Sequence, residues 1–228
     1  MISEEYVKGF IETSFIDWPG KIASVVFLPG CNFRCGWCHN RTLVLHPERI
    51  PDVPLSHVLQ RMKALKGWVD GVVITGGEPT VAPKFPVILD RFNQEGIPVK
   101  LDTNGARPDI LEKFLVEKRL TGISMDIKGV LEPEMYRTIT GVSVDIQAIR
   151  RSVQLIAGSG LWHEFRTTLL PGIHTRADID MIARQLEGLV GGKLQRPLKL
   201  QGFKPNPELS EPWRSLPEVT VERFLETE

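Results

Sequence analysis

Three cysteines, Cys31, Cys35 and Cys38, fall within eight residues, and the chain has no others. Their segment reads Gly30-Cys31-Asn32-Phe33-Arg34-Cys35-Gly36-Trp37-Cys38-His39-Asn40. Thiolates at this C-x3-C-x2-C spacing can wrap one small inorganic core, and Gly30 and Gly36 permit the tight turns that wrapping needs. A cubane has four irons, so three thiolates leave one iron without a protein ligand. An open coordination position signals chemistry rather than architecture, by the logic that separates catalytic from structural zinc. Three plainer readings compete. Zinc could sit on the cysteines plus His39, but structural zinc usually draws on two separated knuckles, and no second Cys or His pair lies elsewhere. Cys35-Gly36-Trp37-Cys38-His39 matches the haem attachment pattern C-x-x-C-H, which leaves Cys31 unexplained. The third is a buried thiol cluster without metal. An odd count of clustered thiols does not make a disulfide framework.

The elements that must position these thiols follow from hydrophobic patterning. Short apolar runs, several rich in Val and Ile, recur at Ile22–Leu28, Gly71–Ile74, Ile97–Leu101, Gly122–Ile127, His163–Leu170 and Leu198–Gln201. Such runs predict buried parallel strands. Helical spacing predicts helices between them. Their faces are Leu55/Val58/Leu59/Met62, Phe85/Ile88/Leu89/Phe92, Ile110/Leu111/Phe114/Leu115, Ile146/Ile149/Val153/Ile156 and Ile179/Ile182/Leu186/Leu189. Gly96 and Gly158 are placed as stops. Pro217–Glu228 reads as a last helix. Six strands alternating with helices imply a parallel sheet with right-handed crossovers. Either an open doubly wound sheet or an incomplete barrel would satisfy the pattern. The polar and glycine-rich clusters all follow strands: Pro29-Gly30-Cys31, Thr75-Gly76-Gly77-Glu78-Pro79-Thr80, Asp102-Thr103-Asn104-Gly105, Asp126-Ile127-Lys128, Pro171-Gly172 and Gly202–Asn206. Strand C-termini are where parallel α/β folds build active sites.

The chain has 228 residues, 28 basic and 28 acidic side chains, and 42% apolar residues. That suits one large soluble domain. Zero net charge gives no sign of a nucleic-acid partner. No apolar run approaches the length that spans a bilayer, and Met1–Glu5 lacks the apolar core of a secretory signal. The expected location is the cytoplasm, with no membrane partner.

The cysteine spacing, with an aromatic before the last Cys, resembles the radical S-adenosylmethionine superfamily, and the resemblance covers nearly the whole chain. Gly76-Gly77-Glu78-Pro79 is similar to the motif that holds the methionine amino group there. Phe15-Ile16-Asp17-Trp18-Pro19-Gly20, Phe27–Cys35 and Cys38-His39-Asn40 resemble activating proteins of anaerobic ribonucleoside-triphosphate reductase. Leu101–Gly105 and Met125–Lys128 resemble the wider glycyl-radical activases. The resemblance implies a single radical S-adenosylmethionine domain over residues 1–228, with a core of about 15–206. Its implied fold is an incomplete (β/α)6 barrel. With only three cysteines, one [4Fe–4S] cluster is implied, on Cys31, Cys35 and Cys38.

The same resemblance implies the cofactor contacts: Trp37 toward adenine, and Gly76, Gly77, Glu78 and Pro79 around the methionine amino group. Asp102, Asn104 and Asp126 lie at neighbouring strand ends, and Gln201 is a candidate ribose contact. Lys128 and Arg166 would pair either with the cofactor carboxylate or, structurally, with Asp102 or Asp126. So many carboxylates call for a counter-cation, either Lys128 or a bound monovalent metal ion. Trp37 could equally be a core side chain, Asn104-Gly105 a plain turn, and His39 a donor behind the cysteines. The activity implied is reductive cleavage of S-adenosylmethionine to make a glycyl radical on an anaerobic ribonucleotide reductase, with flavodoxin or ferredoxin as electron donor. A synthase of 7-carboxy-7-deazaguanine type and a non-catalytic zinc module are the alternatives. The segments near Arg41–Pro54 and Lys204–Pro212 are expected to be docking loops.

Overall fold

The computed structural model describes residues 5–226. The chain divides into two compact units. One comprises the chain through Asn32, Asn40–Thr103 and Lys113–Ile123; the other comprises Phe33–His39, Asn104–Glu112 and the chain from Ser124 onward.

The first unit contains β1 (Tyr6–Val7), β2 (Gly9–Ser14), β3 (Ala23–Leu28), α1 (Arg41–Leu45), β4 (Val53–Pro54), α2 (Leu55–Ala64), β5 (Gly71–Gly76), α3 (Phe85–Gln94) and β6 (Val99–Thr103). β3, β5 and β6 are parallel neighbours, with Leu28 opposite Gly76 and Ile74 opposite Leu101. Val25, Val26, Val72, Val73 and Ile74 are buried, as residues of a sheet covered on both faces must be. The α2 and α3 faces read from the sequence, Leu55/Val58/Leu59/Met62 and Phe85/Ile88/Leu89/Phe92, are buried throughout. Phe85 meets Phe114 edge-on with ring centroids 5.3 Å apart. A fully buried ring of this kind contributes roughly 1.5–3 kcal/mol. β2 was not expected. It pairs antiparallel with β3, and its Gly9-to-Ser14 sequence offers no unbroken apolar run. β1 pairs antiparallel with β4.

α4 (Pro108–Val116) and β7 (Gly122–Asp126) have residues in both units. The second unit continues with α5 (Pro133–Thr140), α6 (Ile146–Gly158), β8 (Trp162–Leu169), α7 (Arg176–Val190), β9 (Lys199–Gly202) and α8 (Val221–Glu226). β8 and β9 are parallel. Its core joins Trp37, Ile139, Leu170, Phe203 and Leu209. The strand order of the seven-stranded sheet is β2-β3-β5-β6-β7-β8-β9. All six expected strands are present within two residues at either end. α6 ends at Gly158, as its stop signal requires. α1 and α5 were missed, and Arg41–Pro54 is partly helical rather than a plain loop. The expected tail helix is confined to α8; Thr227 and Glu228 lie outside the described residues.

Candidate cluster and cofactor site

In the first unit, β3 and β5 end side by side and deliver two loops. The ladder continues past the strands: the Gly77 N–H donates to the Leu28 carbonyl (2.9 Å), and the Glu78 N–H to the Gly30 carbonyl (2.8 Å). Gly76 has φ +123°, which only glycine adopts readily, and a Cβ there would meet Leu28 O at 2.3 Å. A Cβ on Gly77 would lie 1.8 Å from Gly30 O and 3.4 Å from the Cys31 Cβ. The two glycines therefore let the second motif press against the backbone that carries Cys31. Asn40 Nδ2 donates to the Gly76 carbonyl (2.6 Å), a tie that the sequence did not announce.

Glu78 is 1% exposed. One of its carboxylate oxygens accepts from the Thr80 N–H (3.1 Å), the Thr80 hydroxyl (2.5 Å) and the Thr103 hydroxyl (2.7 Å). This carboxylate thus pins its own loop to the end of β6. Pro79 starts the short 3-10 turn that follows and is buried. Asp102 accepts from the ammonium of Lys100, a fully buried residue absent from the candidate site read from the sequence.

In the second unit, residues 33–39 form the rest of the cysteine loop. The Cys38 N–H donates to the Cys35 carbonyl (3.2 Å), closing a tight turn. The end of α5 anchors it. Helix ends carry carbonyls with no intrahelical partner, and here the Thr140 carbonyl accepts from the Arg34 N–H (2.8 Å) and the Ile139 carbonyl from Trp37 Nε1 (3.1 Å). The Ser210 hydroxyl and N–H both donate to the Gly36 carbonyl. His39 Nε2 is 2.8 Å from the Lys204 carbonyl. The Trp37 ring lies in the core, with the Lys128 ammonium 4.9 Å from its centroid.

Asp126, at the end of β7, joins two cations: Lys128 Nζ donates to Oδ2 and Arg166 Nε to Oδ1, each at 2.9 Å. Burial opposes ionisation of Asp126, but Arg166 and Lys128 outweigh it and hold the carboxyl well below the usual carboxylate range. Burial likewise opposes the Lys128 charge; Asp126 and then Cys35 outweigh it and push the ammonium pKa up. Glu164 Oε1 stands 4.0 Å from Arg166, and its Oε2 3.8 Å from Lys199. The structural pairing foreseen for Lys128 and Arg166 is present on Asp126. Tyr136, buried and missed in the sequence, accepts at its hydroxyl from the Lys128 N–H (3.3 Å). Asn104 Oδ1 accepts from the Ala106 N–H (2.9 Å), the local turn that Asn favours. Gln201 is half-buried on β9, opposite Thr168.

The donor set fits an iron–sulfur cluster. All three cysteines are partly buried thiols outside any disulfide, and their loop is fixed by backbone bonds. Among the described residues, no group of three or more His, Cys, Asp or Glu side chains could hold a single metal ion; a cubane instead takes each thiolate on a separate iron. Two cavities of about 390 Å³ each lie at other places and contain none of the motif residues. No helix among the described residues is long and apolar enough to cross a membrane.

An α/β fold with a mostly parallel sheet and a three-thiol loop after its first parallel strand defines a class. Residues 25–186 match the family model of the radical SAM superfamily, and the chain belongs to that superfamily. It is a radical S-adenosylmethionine enzyme, with a [4Fe–4S] cluster and S-adenosylmethionine as its cofactors. Its similarity is more particular. It is 29% identical over 216 residues, 92% of this chain and 85% of the other, to a Methanocaldococcus jannaschii protein provisionally named a glycyl-radical enzyme activating enzyme. It is 33% identical over 196 residues to the pyruvate formate-lyase-activating enzyme of Streptococcus mutans, covering 79% and 72% of the two chains. Likeness to 7-carboxy-7-deazaguanine synthase of Neisseria meningitidis is 37% over 89 residues, 39% of each chain. Coproporphyrinogen III oxidase from Escherichia coli, described as a radical SAM enzyme, shares the fold at TM-score 0.58 and 15% identity. That match covers 88% of this chain but 49% of the other. The fold is the incomplete (β/α)6 barrel expected above.

Proposed function

We propose that the chain is a glycyl-radical enzyme activase. The observation that carries this reading is the extent of its similarity: the likeness to two activating enzymes runs along 92% and 79% of the chain, against 39% to 49% for the deazaguanine synthases. Cys31, Cys35 and Cys38 hold the cluster, and S-adenosylmethionine lies against Trp37, Gly76, Gly77, Glu78, Pro79, Asp102, Asn104, Asp126, Lys128, Arg166 and Gln201. When bound and reduced, the cluster supplies the electron that cleaves S-adenosylmethionine to the 5′-deoxyadenosyl radical, which takes hydrogen from a glycine Cα of the partner.

The chain's own residues bind and orient. Gly77 and Glu78 hold the backbone leading into Cys31, through Leu28 and Gly30, and the end of α5 holds Arg34 and Trp37 beside Cys35 and Cys38. The cations around Asp126 suit the methionine carboxylate, which the planar guanidinium of Arg166 is shaped to recognise. The partner is a glycyl-radical enzyme, in the finer reading an anaerobic ribonucleotide reductase, with flavodoxin or ferredoxin as donor. Support for the finer reading comes from the segment Phe15–Gly20. There Ser14 Oγ ties the turn at Asp17 and accepts from the Ile16 N–H, leaving Phe15 67% and Ile16 80% exposed. The segments 41–54 and 204–212 are proposed as docking loops.

The test is electron paramagnetic resonance on an anaerobic mixture of reduced enzyme, S-adenosylmethionine and the candidate reductase. The expected signal is a glycine-centred doublet that vanishes when the partner's glycine is replaced by alanine. Turnover of a pterin with no partner present would overturn the reading in favour of the deazaguanine-type enzyme.

A further inference from the structure

β6 alternates Val99-Lys100-Leu101-Asp102-Thr103, and strand geometry places Lys100 and Asp102 on one face. In a half-buried strand that face would be wetted. Here it is interior: Lys100 is 0% exposed and Asp102 8%. An ammonium removed from water carries a desolvation penalty of several kcal/mol, so it persists only when paired. Lys100 is paired, its Nζ donating to Asp102 Oδ1. Asp126 independently accepts from Lys128 and Arg166, each at 2.9 Å. Every carboxylate at these two strand ends therefore has a built-in cation. The counter-charge that the sequence assigned to Lys128 or a bound monovalent ion is, at Asp102, a lysine that the sequence did not single out.

We propose that Lys100 is a positioning residue whose ammonium takes the place of a monovalent metal ion at Asp102, so that S-adenosylmethionine binds without Na⁺ or K⁺. The inference rests on the reading that Asp102 faces the cofactor. The ammonium offers three donors and a full charge. Being covalently tethered, it needs no ion from solution and does not respond to the ionic composition of the medium. It gives Asp102 a fixed partner before the cofactor arrives.

The test uses anaerobically reconstituted protein, with S-adenosylmethionine titrated calorimetrically in buffers whose only cation is Na⁺, K⁺ or tetramethylammonium. Wild-type affinity is expected to agree within about twofold in all three. Lys100→Met keeps the length of the side chain and removes its charge. Its affinity is expected to fall about tenfold in tetramethylammonium, the scale of one lost buried partner, and to recover in Na⁺ or K⁺. The melting temperature of the cluster-free variant should show the same ion dependence, and that of cluster-free wild type should not. A wild-type requirement for Na⁺ or K⁺ overturns the proposal. So does a Lys100→Met loss that neither ion restores, or no loss at all. If Lys100→Met does not fold, the wild-type titration decides alone. Absence of binding in every buffer would sink the cofactor reading and the inference together. No partner protein is present, so failure of the activase reading leaves these results unchanged.

Discussion

A side chain at residue 77 would bring its Cβ to 1.8 Å from the Gly30 carbonyl oxygen, closer than any real contact. From sequence, Gly77 reads as a place where a ligand approaches the main chain, and Gly77→Val would then keep its cluster and lose only cofactor. The structure gives a different expectation. The residue pressed against Gly77 is the one before Cys31, so the variant must move the cysteine itself. Gly77→Val is expected to lower cluster occupancy after reconstitution severalfold, the overpacking strain being about 1–3 kcal/mol. Iron and sulfide analysis decides the matter: full iron with weakened S-adenosylmethionine binding would restore the simpler reading. The cysteine spacing was legible because three thiols in eight residues have few uses. Lys100 was not, because a lysine alternating with valine and leucine has the pattern of a solvated strand face, and only neighbouring elements bury it. Tyr136 and Asn40 were illegible for a related reason: their partners, the Lys128 N–H and the Gly76 carbonyl, are main-chain groups with no sequence signature.

Among the elements, α5 turns local helix chemistry into placement of the cysteine loop. Its last carbonyls, at Ile139 and Thr140, hold Trp37 and Arg34. Gly141 ends it in the left-handed conformation, φ 72°, and a Cβ there would meet the Arg34 carbonyl at 2.7 Å. Gly141→Ala should cost about 1–2 kcal/mol for the conformation alone, and the loop is the part free to give. The expected outcome is a melting temperature lower by a few degrees, with a cluster that is lost measurably faster to a chelator. A variant with the same stability loss and an unchanged chelation rate would refute an anchoring role for α5. This helix escaped the sequence reading because Pro133–Thr140 is only eight residues long, with Tyr136 and Ile139 as its main buried positions. α2, α3 and α6 were legible because each spends four apolar residues on one face. The parallel strands were legible from their Val/Ile runs, whereas edge strand β2, partly exposed and started by a glycine, carried no such run.

Over the whole molecule, the order of alternating strands and helices was legible because each crossover pairs a strand with a later neighbour. That Lys128 and Arg166 would pair with a strand-end carboxylate was legible, but that both would share Asp126 was not, since Arg166 reaches it from another strand. Those interior groups govern how global stability depends on pH. His174 is buried; its Nδ1 accepts from the Leu170 N–H (3.0 Å), so Nε2 carries the proton and donates to the Lys128 carbonyl (3.0 Å). Burial depresses its pKa below the ordinary 6.5, against smaller opposing effects that include Asp178. Above 6.5 the ring is neutral in both folded and unfolded chains, and it adds no pH dependence. As the pH falls below 6.5, the unfolded chain takes up the proton first, and stability declines until the folded ring is also protonated. Asp126 adds a second window. Its folded pKa lies below the ordinary 3.8, so the stability it contributes is fully present above 3.8 and is lost as the pH falls further. Denaturant midpoints of the cluster-free protein should therefore drop in two stages on the acid side. His174→Gln, which can keep one of the two ring contacts, should flatten the first stage and leave the second unchanged. If wild type and His174→Gln lose stability in parallel between about pH 7 and pH 5, His174 is not the group responsible.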